Sequence, residues 1–283
     1  MTIEPLLPDS RTRERRSDSA AGARLGRPPL LLVIPAVLAS ALLVVPLVSL
    51  VLDTPWSGLR SQLASSSVRQ ALWLTLLVSL CTVAACVVLG TPLAWLLGRV
   101  MFPGRALLRA LVLVPLVLPP VVAGVALITA LGRTGLVGRW LYEWWGVTIP
   151  YTTVAVVISH TFVALPFYVL SVQGALESVG DRFDVVAAGL GADRWTTFRR
   201  VTMPLALPGV LAGAALAWAR SLGEFGATIT FAGNYPGTTQ TMPSKIYTAL
   251  QSDPGAARIL SMILLVLSIG VLVGLRSRWL ART

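Results

Sequence analysis

The run Leu30–Leu52, LLLVIPAVLASALLVVPLVSLVL, carries no charged side chain from end to end. A helix needs about 20 apolar residues to cross the hydrocarbon of a bilayer, so this stretch is long enough to span it. Five more runs follow the same rule: 71–97, 107–131, 152–172, 205–231 and 259–275. Over the whole chain of 283 residues, 55% are hydrophobic and only 12% are charged. Mean hydropathy is +0.77. Ordinary soluble domains carry about 25% charge, so lipid is the solvent for most of these side chains. The expected fold is an all-α polytopic membrane protein of about six transmembrane helices.

Several runs contain proline. The third holds Pro115, Pro119 and Pro120, the fourth Pro166, and the fifth Pro208 near its start. Proline at membrane depth is tolerated where neighbouring helices satisfy the freed backbone groups, so the stretch 118–124, LPPVVAG, reads as a kink covered by protein.

The N-terminal segment 1–28 holds Arg11, Arg13, Arg15, Arg16, Arg24 and Arg27 ahead of the first run. That run is longer than the 7–15 residues of a signal-peptide core and lacks a small-x-small cleavage site. The reading is a disordered basic cytoplasmic tail over 1–28, with a membrane domain over 29–283. The net charge of +11 does not point to nucleic acid. Arginines fall between the apolar runs, as orienting charges do. Arg99, Arg105, Arg109, Arg182, Arg194, Arg199, Arg200, Arg276, Arg278 and Arg282 join the N-terminal cluster on one side. Arg60, Arg69, Arg133, Arg139, Lys245 and Arg258 lie on the other. The imbalance places both termini in the cytoplasm. The outer connection 132–150 is rich in Trp and Tyr, residues that settle at headgroup level.

Segment 177–203 is too polar to cross and too long for a tight turn. Residues 182–190 read as a short helix with Phe183, Val186, Ala187 and Leu190 on one face. Gly191 stands at the position where a positive φ ends a helix. Asp193 then caps a second helix over 194–202.

Arg220 and Glu224 are the formal charges inside a predicted span. A charge at the bilayer centre costs at least ~2.5 kcal/mol, so such a pair is a functional candidate. Their i, i+4 spacing lets them pair on one helix face. That leaves two roles open, a structural ion pair and a lining of a pathway. Gly223, Gly226 and Gly233 surround them; glycine allows close helix approach and also permits a break near the outer mouth. Ser221, Thr228, Thr230, Thr238, Thr239 and Thr241 supply donors of the kind an oxyanion needs. His160 has no companion for a metal site and reads as a hydrogen-bonded core histidine. Cys81 and Cys86 are five apart and read as small core residues.

Two groups of residues carry a family resemblance. The run 185–192, VVAAGLGA, with Phe198, Val201 and Met203-Pro204, resembles the Glu-Ala-Ala loop of bacterial ABC import permeases. Aligned on Gly191, Val185 stands at the usual Glu, Val186 at the first Ala, and Met203 at the Leu before Pro204. Asp184 supplies a carboxylate one position early. The run 219–228, ARSLGEFGAT, resembles the fifth-helix motif of molybdate permeases, as do 231–243, FAGNYPGTTQTMP, and 246–251, IYTALQ. Segments 118–124 and 132–135 are similar to the same group.

The resemblance implies a type I importer permease fold in a bacterial cell membrane, multi-pass, working as a homodimer with its pathway at the interface. It implies two separate ABC ATPase subunits and an extracytoplasmic binding protein that delivers molybdate. Asp184, Val185, Val186, Ala187, Ala188, Gly189, Leu190, Gly191 and Ala192 would then couple to the ATPase. Pro119, Pro120, Arg220, Ser221, Gly223, Glu224 and Thr228 would line the pathway. Asn234, Gly237, Thr239 and Gln240 would contact the binding protein. No cofactor, metal or nucleic-acid partner is expected, and no catalytic residue. The chain lacks a G-x-x-x-x-G-K-[ST] phosphate loop, so an ATPase of that type would be a different subunit. Sulfate or tungstate are the alternative cargoes. An ion-coupled secondary transporter is disfavoured by the absence of two repeated halves. An intramembrane protease is disfavoured by a single histidine and no intramembrane Asp.

Overall fold

The computed structural model describes residues 30–180 and 182–280, so the basic tail expected over 1–28 lies outside the described residues. The chain forms two units, Met1–Asp53 and Thr54–Thr283. In the first, α1 covers Leu30–Leu52. Its 23 residues give a rod of about 34 Å, enough for the hydrocarbon. Pro35 and Pro46 sit inside it, and Ser40 Oγ donates back to the Ala36 carbonyl at 2.8 Å.

In the second unit the elements run α2 (Leu59–Ala64), α3 (Ser66–Arg99), α4 (Arg105–Val117), α5 (Pro120–Leu131), α6 (Gly138–Trp145), α7 (Thr153–Val179), α8 (Arg182–Gly189), α9 (Arg194–Thr197), α10 (Met203–Leu222), α11 (Gly226–Phe231), α12 (Met242–Ser252) and α13 (Pro254–Leu280). Four of its helical stretches are long and apolar enough to span: α3, α7, Arg194–Leu222 and α13.

The frame is α3, α7 and α10 packed side by side. Cys86, Ala94 and Leu97 of α3 meet Ala164, Tyr168, Val169, Val172 and Leu176 of α7, and Ala206, Val210 and Ala217 of α10. Lipid tails are as apolar as these side chains, so small residues that let helices approach closely decide the contact. Gly209 is the plainest case, since a Cβ there would lie 2.1 Å from Ala175 Cβ. Polar ties add register. Thr91 and the Tyr168 hydroxyl are 2.7 Å apart, and Ser171 Oγ donates to the Gly209 carbonyl at 3.0 Å. Nearer the other end of the bundle, Leu74 and Val78 pack with Leu127, Ala155, Val156, Phe231 and Ala232.

Two predicted spans are broken. The third predicted span forms α4 and α5 in sequence. Leu118 and Pro119 are extended between them, with ψ of 131° and 136°. A residue before proline is pushed out of the helical region, and here two successive residues precede a proline. Pro120 then starts α5, where its missing N–H is no loss. The fifth span ends at Leu222 and resumes at Gly226, so Arg220 and Glu224 do not share one continuous helix.

The segment 177–203 also differs from expectation in one respect. Its second half is continuous with the fifth span: α9 passes through a π-helical turn, Phe198–Thr202, directly into α10. Pro204 lacks an N–H and its ring crowds the carbonyl four residues earlier, and a widened turn accommodates it.

Candidate functional site

The break in the fifth span is organised around Glu224. Its backbone N–H donates to the Ser221 carbonyl at 3.1 Å, closing the last turn of α10. One carboxylate oxygen, Oε2, lies 2.6 Å from Arg220 Nη2. The other, Oε1, accepts from the Ala227 N–H at 2.8 Å and so satisfies an orphan donor in the first turn of α11. Glu224 is 1% exposed, while the Arg220 side chain remains 27% exposed. The pair thus joins two helix ends across a gap, and its open side is the guanidinium.

The second break lies against the first. A Cβ on Gly226 would stand 2.5 Å from Pro120 Cβ, and one on Gly124 would stand 2.6 Å from Thr230 Cβ. Helices α5 and α11 therefore touch through glycines, and Ala123, Val163 and Ala227 close the core beneath them. Pro119, Pro120 and Gly223 are exposed. Ser221 and Thr228 are not. Their side chains turn into the bundle: Ser221 Oγ is 2.8 Å from His160 Nδ1, and Thr228 Oγ1 is 3.2 Å from Ser159 Oγ. Trp218 is likewise tied inward, donating from Nε1 to Ser79 Oγ at 2.8 Å. Of the expected lining, Pro119, Pro120 and Gly223 are exposed and Arg220 is partly so, whereas Ser221, Glu224 and Thr228 are buried.

The 177–203 segment is fastened by a clamp that sequence reading missed. Arg99, at the end of α3, donates from Nη1 to Asp184 Oδ2 and to the Gly180 carbonyl, each at 3.0 Å. Thr202 Oγ1 donates to Asp184 Oδ1 at 3.0 Å. The Asp184 carboxylate therefore binds its own chain on both oxygens. Asp193 caps α9 by accepting from the Thr196 N–H at 3.2 Å. Hydrogen bonding from Thr196, its side chain first, holds the Asp193 carboxyl below its ordinary value of 3.8. Gly191 has φ of +83°. Ala187 is buried, which removes it from the face predicted for α8. Val185 stands out together with Val186 and Leu190 of that face, 70%, 62% and 84% exposed.

On the opposite side, the connection after α11 curls around the Tyr235 carbonyl, which accepts from the N–H groups of Thr238, Thr239 and Gln240 at 3.1, 2.9 and 3.0 Å. Thr239 Oγ1 accepts from the Tyr235 N–H at 2.9 Å, and Asn234 Nδ2 donates to Thr248 Oγ1 at 2.9 Å. Thr239 and Gln240 are buried, Asn234 is half-buried, and Tyr235, Pro236, Gly237 and Thr238 form the exposed tip. Among the described residues no three His, Cys, Asp or Glu side chains gather in a way that could hold a metal ion.

A bundle of spanning helices, two facing helix breaks and an exposed apolar helix on the arginine-rich side are the parts of a multi-pass membrane transport subunit. Residues 90–283 match the family described as the binding-protein-dependent transport system inner membrane component, and the chain belongs to that family. Its relatives include the molybdenum transport system permease protein ModB of Mycobacterium tuberculosis, 45% identical over 247 residues, 87% of this chain and 92% of that protein. The sulfate transport system permease protein CysT of Escherichia coli is 36% identical over 79% of this chain and 82% of its own. Among solved structures, a chain of a bacterial alginate ABC transporter shares the fold, with a TM-score of 0.70, 18% identity and coverage of 87% and 92%.

Proposed function

We propose that this chain is the membrane permease subunit of an ATP-driven molybdate importer, working as a homodimer with both termini in the cytoplasm. The reading is carried by the relationship to the molybdenum permease of M. tuberculosis, whose 45% identity runs over 87% of this chain. The sulfate relative stands further off at 36%.

In this reading the exposed apolar face of α8, Val185, Val186 and Leu190, docks into a separate ATPase subunit. Nucleotide-driven closure of the ATPase moves α8 as a rigid body, and the Asp184–Arg99 clamp passes that displacement to the end of α3. The exposed tip Tyr235, Pro236, Gly237 and Thr238 meets the extracytoplasmic binding protein, with Asn234, Thr239 and Gln240 shaping it from within. Arg220 presents a guanidinium to the passing oxyanion, while Glu224 neutralises it and prevents tight capture. Conduction needs a site attractive enough to enter and weak enough to leave.

The test is uptake of labelled molybdate by cells with and without this chain, challenged by excess tungstate or sulfate. Loss of uptake without the chain, with competition by tungstate and little by sulfate, supports the reading. Equal competition by sulfate, with sulfate uptake also lost, replaces it with the sulfate alternative.

A further inference from the structure

A groove of about 540 Å³ runs along the side of the bundle near the arginine-rich end of α3. Its walls are Val87, Val88, Pro92 and Trp95 on one flank and Trp195, Phe198 and Met203 on the other. Phe198 holds the two tryptophans together, stacked on Trp195 with centroids 5.8 Å apart and edge-on to Trp95 at 6.3 Å. Thr91 also lines it, but its hydroxyl is bonded to Tyr168. The remaining polar lining residue is Arg194. Apart from the indole N–H groups of Trp95 and Trp195, a water-soluble ligand finds no donor or acceptor along these walls beyond the mouth.

We infer that the groove is a binding site for an anionic glycerophospholipid of the arginine-rich leaflet, one acyl chain lying between α3 and the π-helical turn and the phosphate at Arg194. From Val87 to Arg99 the helix rises about 18 Å, close to the ~15 Å depth of one leaflet's hydrocarbon. Val88 is 68% exposed and Trp195 66%, so the groove opens sideways on the surface of a spanning helix, where lipid is the solvent. Tryptophans belong at the headgroup boundary, which sets the depth. Charge complements the headgroup: Arg194, Arg199 and Arg200 are exposed, and no ion pair joins any of them among the described residues. The one carboxylate beside them in sequence, Asp193, accepts from the Thr196 N–H. A lipid seated here braces the turn that links α9 to α10, whichever anion the protein carries.

The experiment uses the full chain in nanodiscs containing a phosphatidylglycerol with a photoreactive acyl chain, compared with the same probe on phosphatidylcholine. Labelled peptides are mapped by mass spectrometry. A basic residue at the surface favours an anionic headgroup by about fivefold. The phosphatidylglycerol probe should therefore label residues 87–95 and 195–203 about fivefold more. Arg194→Gln should erase that preference, and Val88→Trp should fill the groove and suppress labelling by both probes. Each variant should keep its helix content and melting profile. Equal labelling by the two headgroups, or labelling that avoids these segments, overturns the inference. So does groove labelling that disappears when the ATPase subunit is bound, because a protein would then be its occupant.

Discussion

Arg220 Nη2 and Glu224 Oε2 stand 2.6 Å apart across the end of a helix, and the same carboxylate caps the helix that follows through Ala227. The ion pair is therefore also a backbone joint. Removing one partner of a fully buried pair costs about 3–5 kcal/mol, and less here because the Arg220 side chain is 27% exposed. Glu224→Ala should lose both the pair and the cap, and membrane abundance should fall with uptake. Glu224→Gln keeps an oxygen for the Ala227 N–H and leaves Arg220 partly in contact with solvent, so it should insert normally and retain more uptake. Immunoblotting of membranes beside labelled molybdate uptake separates the two. Equal loss of abundance in both variants would show that the cap is not what matters.

The Asp184 clamp predicts a specific failure. Asp184→Asn weakens the bond from Arg99 and leaves the Thr202 bond possible, while Arg99→Gln removes the guanidinium altogether. Both should leave ATP hydrolysis by the assembled transporter within about twofold of normal and lower molybdate uptake severalfold, with Arg99→Gln the more severe. The measurement is the ratio of transported anion to hydrolysed ATP in proteoliposomes. An unchanged ratio would mean that the clamp carries no coupling.

Asp193 gives a pH-dependent prediction. Its carboxyl titrates below the ordinary value of 3.8 because Thr196 bonds the charged form. The stabilisation of the α9 start is therefore fully present above that value and is lost as pH falls through the depressed one. Asp193→Asn keeps an acceptor and removes the pH dependence, whereas Asp193→Ala removes both. Hydrogen exchange at the Thr196 amide, followed from neutral to acid pH, should show protection in the wild type that fades with acid. Asn should protect evenly, and Ala should not protect at any pH.

The membrane class and the order of the spans were legible because twenty-residue apolar runs have little else to become. Gly191, Asp193 and the short helices around them were legible too, since a positive φ and a cap are local demands. Gly223 and Gly226 permitted a break near there, but its place was not legible, because the one charged pair in 205–231 has the i, i+4 spacing of an unbroken helix. Only the facing proline and glycine of α5 and α11 reveal why the chain departs from it there. The direction of Ser221 and Thr228 was equally hidden. A hydroxyl in a span can serve a pathway or a neighbour, and the partners His160 and Ser159 lie more than sixty residues away. The bond from Arg99 to Asp184 was hidden too, because Arg99 belongs to another helix.

Close approach through glycine separates two positions that look alike in the sequence. A Cβ at Gly209 would lie 2.1 Å from Ala175 Cβ, while one at Gly174, on the neighbouring helix, meets nothing within 4 Å. Overpacking a tight contact costs about 1–3 kcal/mol. Gly209→Val should thus reduce the thermal stability and abundance of the purified chain, and Gly174→Ala should leave both unchanged. A matched loss at the two sites would mean that helix flexibility, not spacing, is what glycine supplies.

Gly191 allows steric and conformational demands to be told apart. Its φ is +83°, yet a Cβ placed on it meets nothing within 4 Å. Any penalty for substitution therefore comes from the backbone, about 1–2 kcal/mol for an ordinary L residue in the left-handed region. Asn enters that region readily and β-branched residues do not. Gly191→Asn should preserve most molybdate uptake, whereas Gly191→Val should displace α8 from the orientation set by Asp184 and lower uptake severalfold, with both variants inserted in the membrane to the normal extent. If Asn proved as damaging as Val, the turn would need glycine for contact with the ATPase subunit, and the open space beside it would be the footprint of that partner.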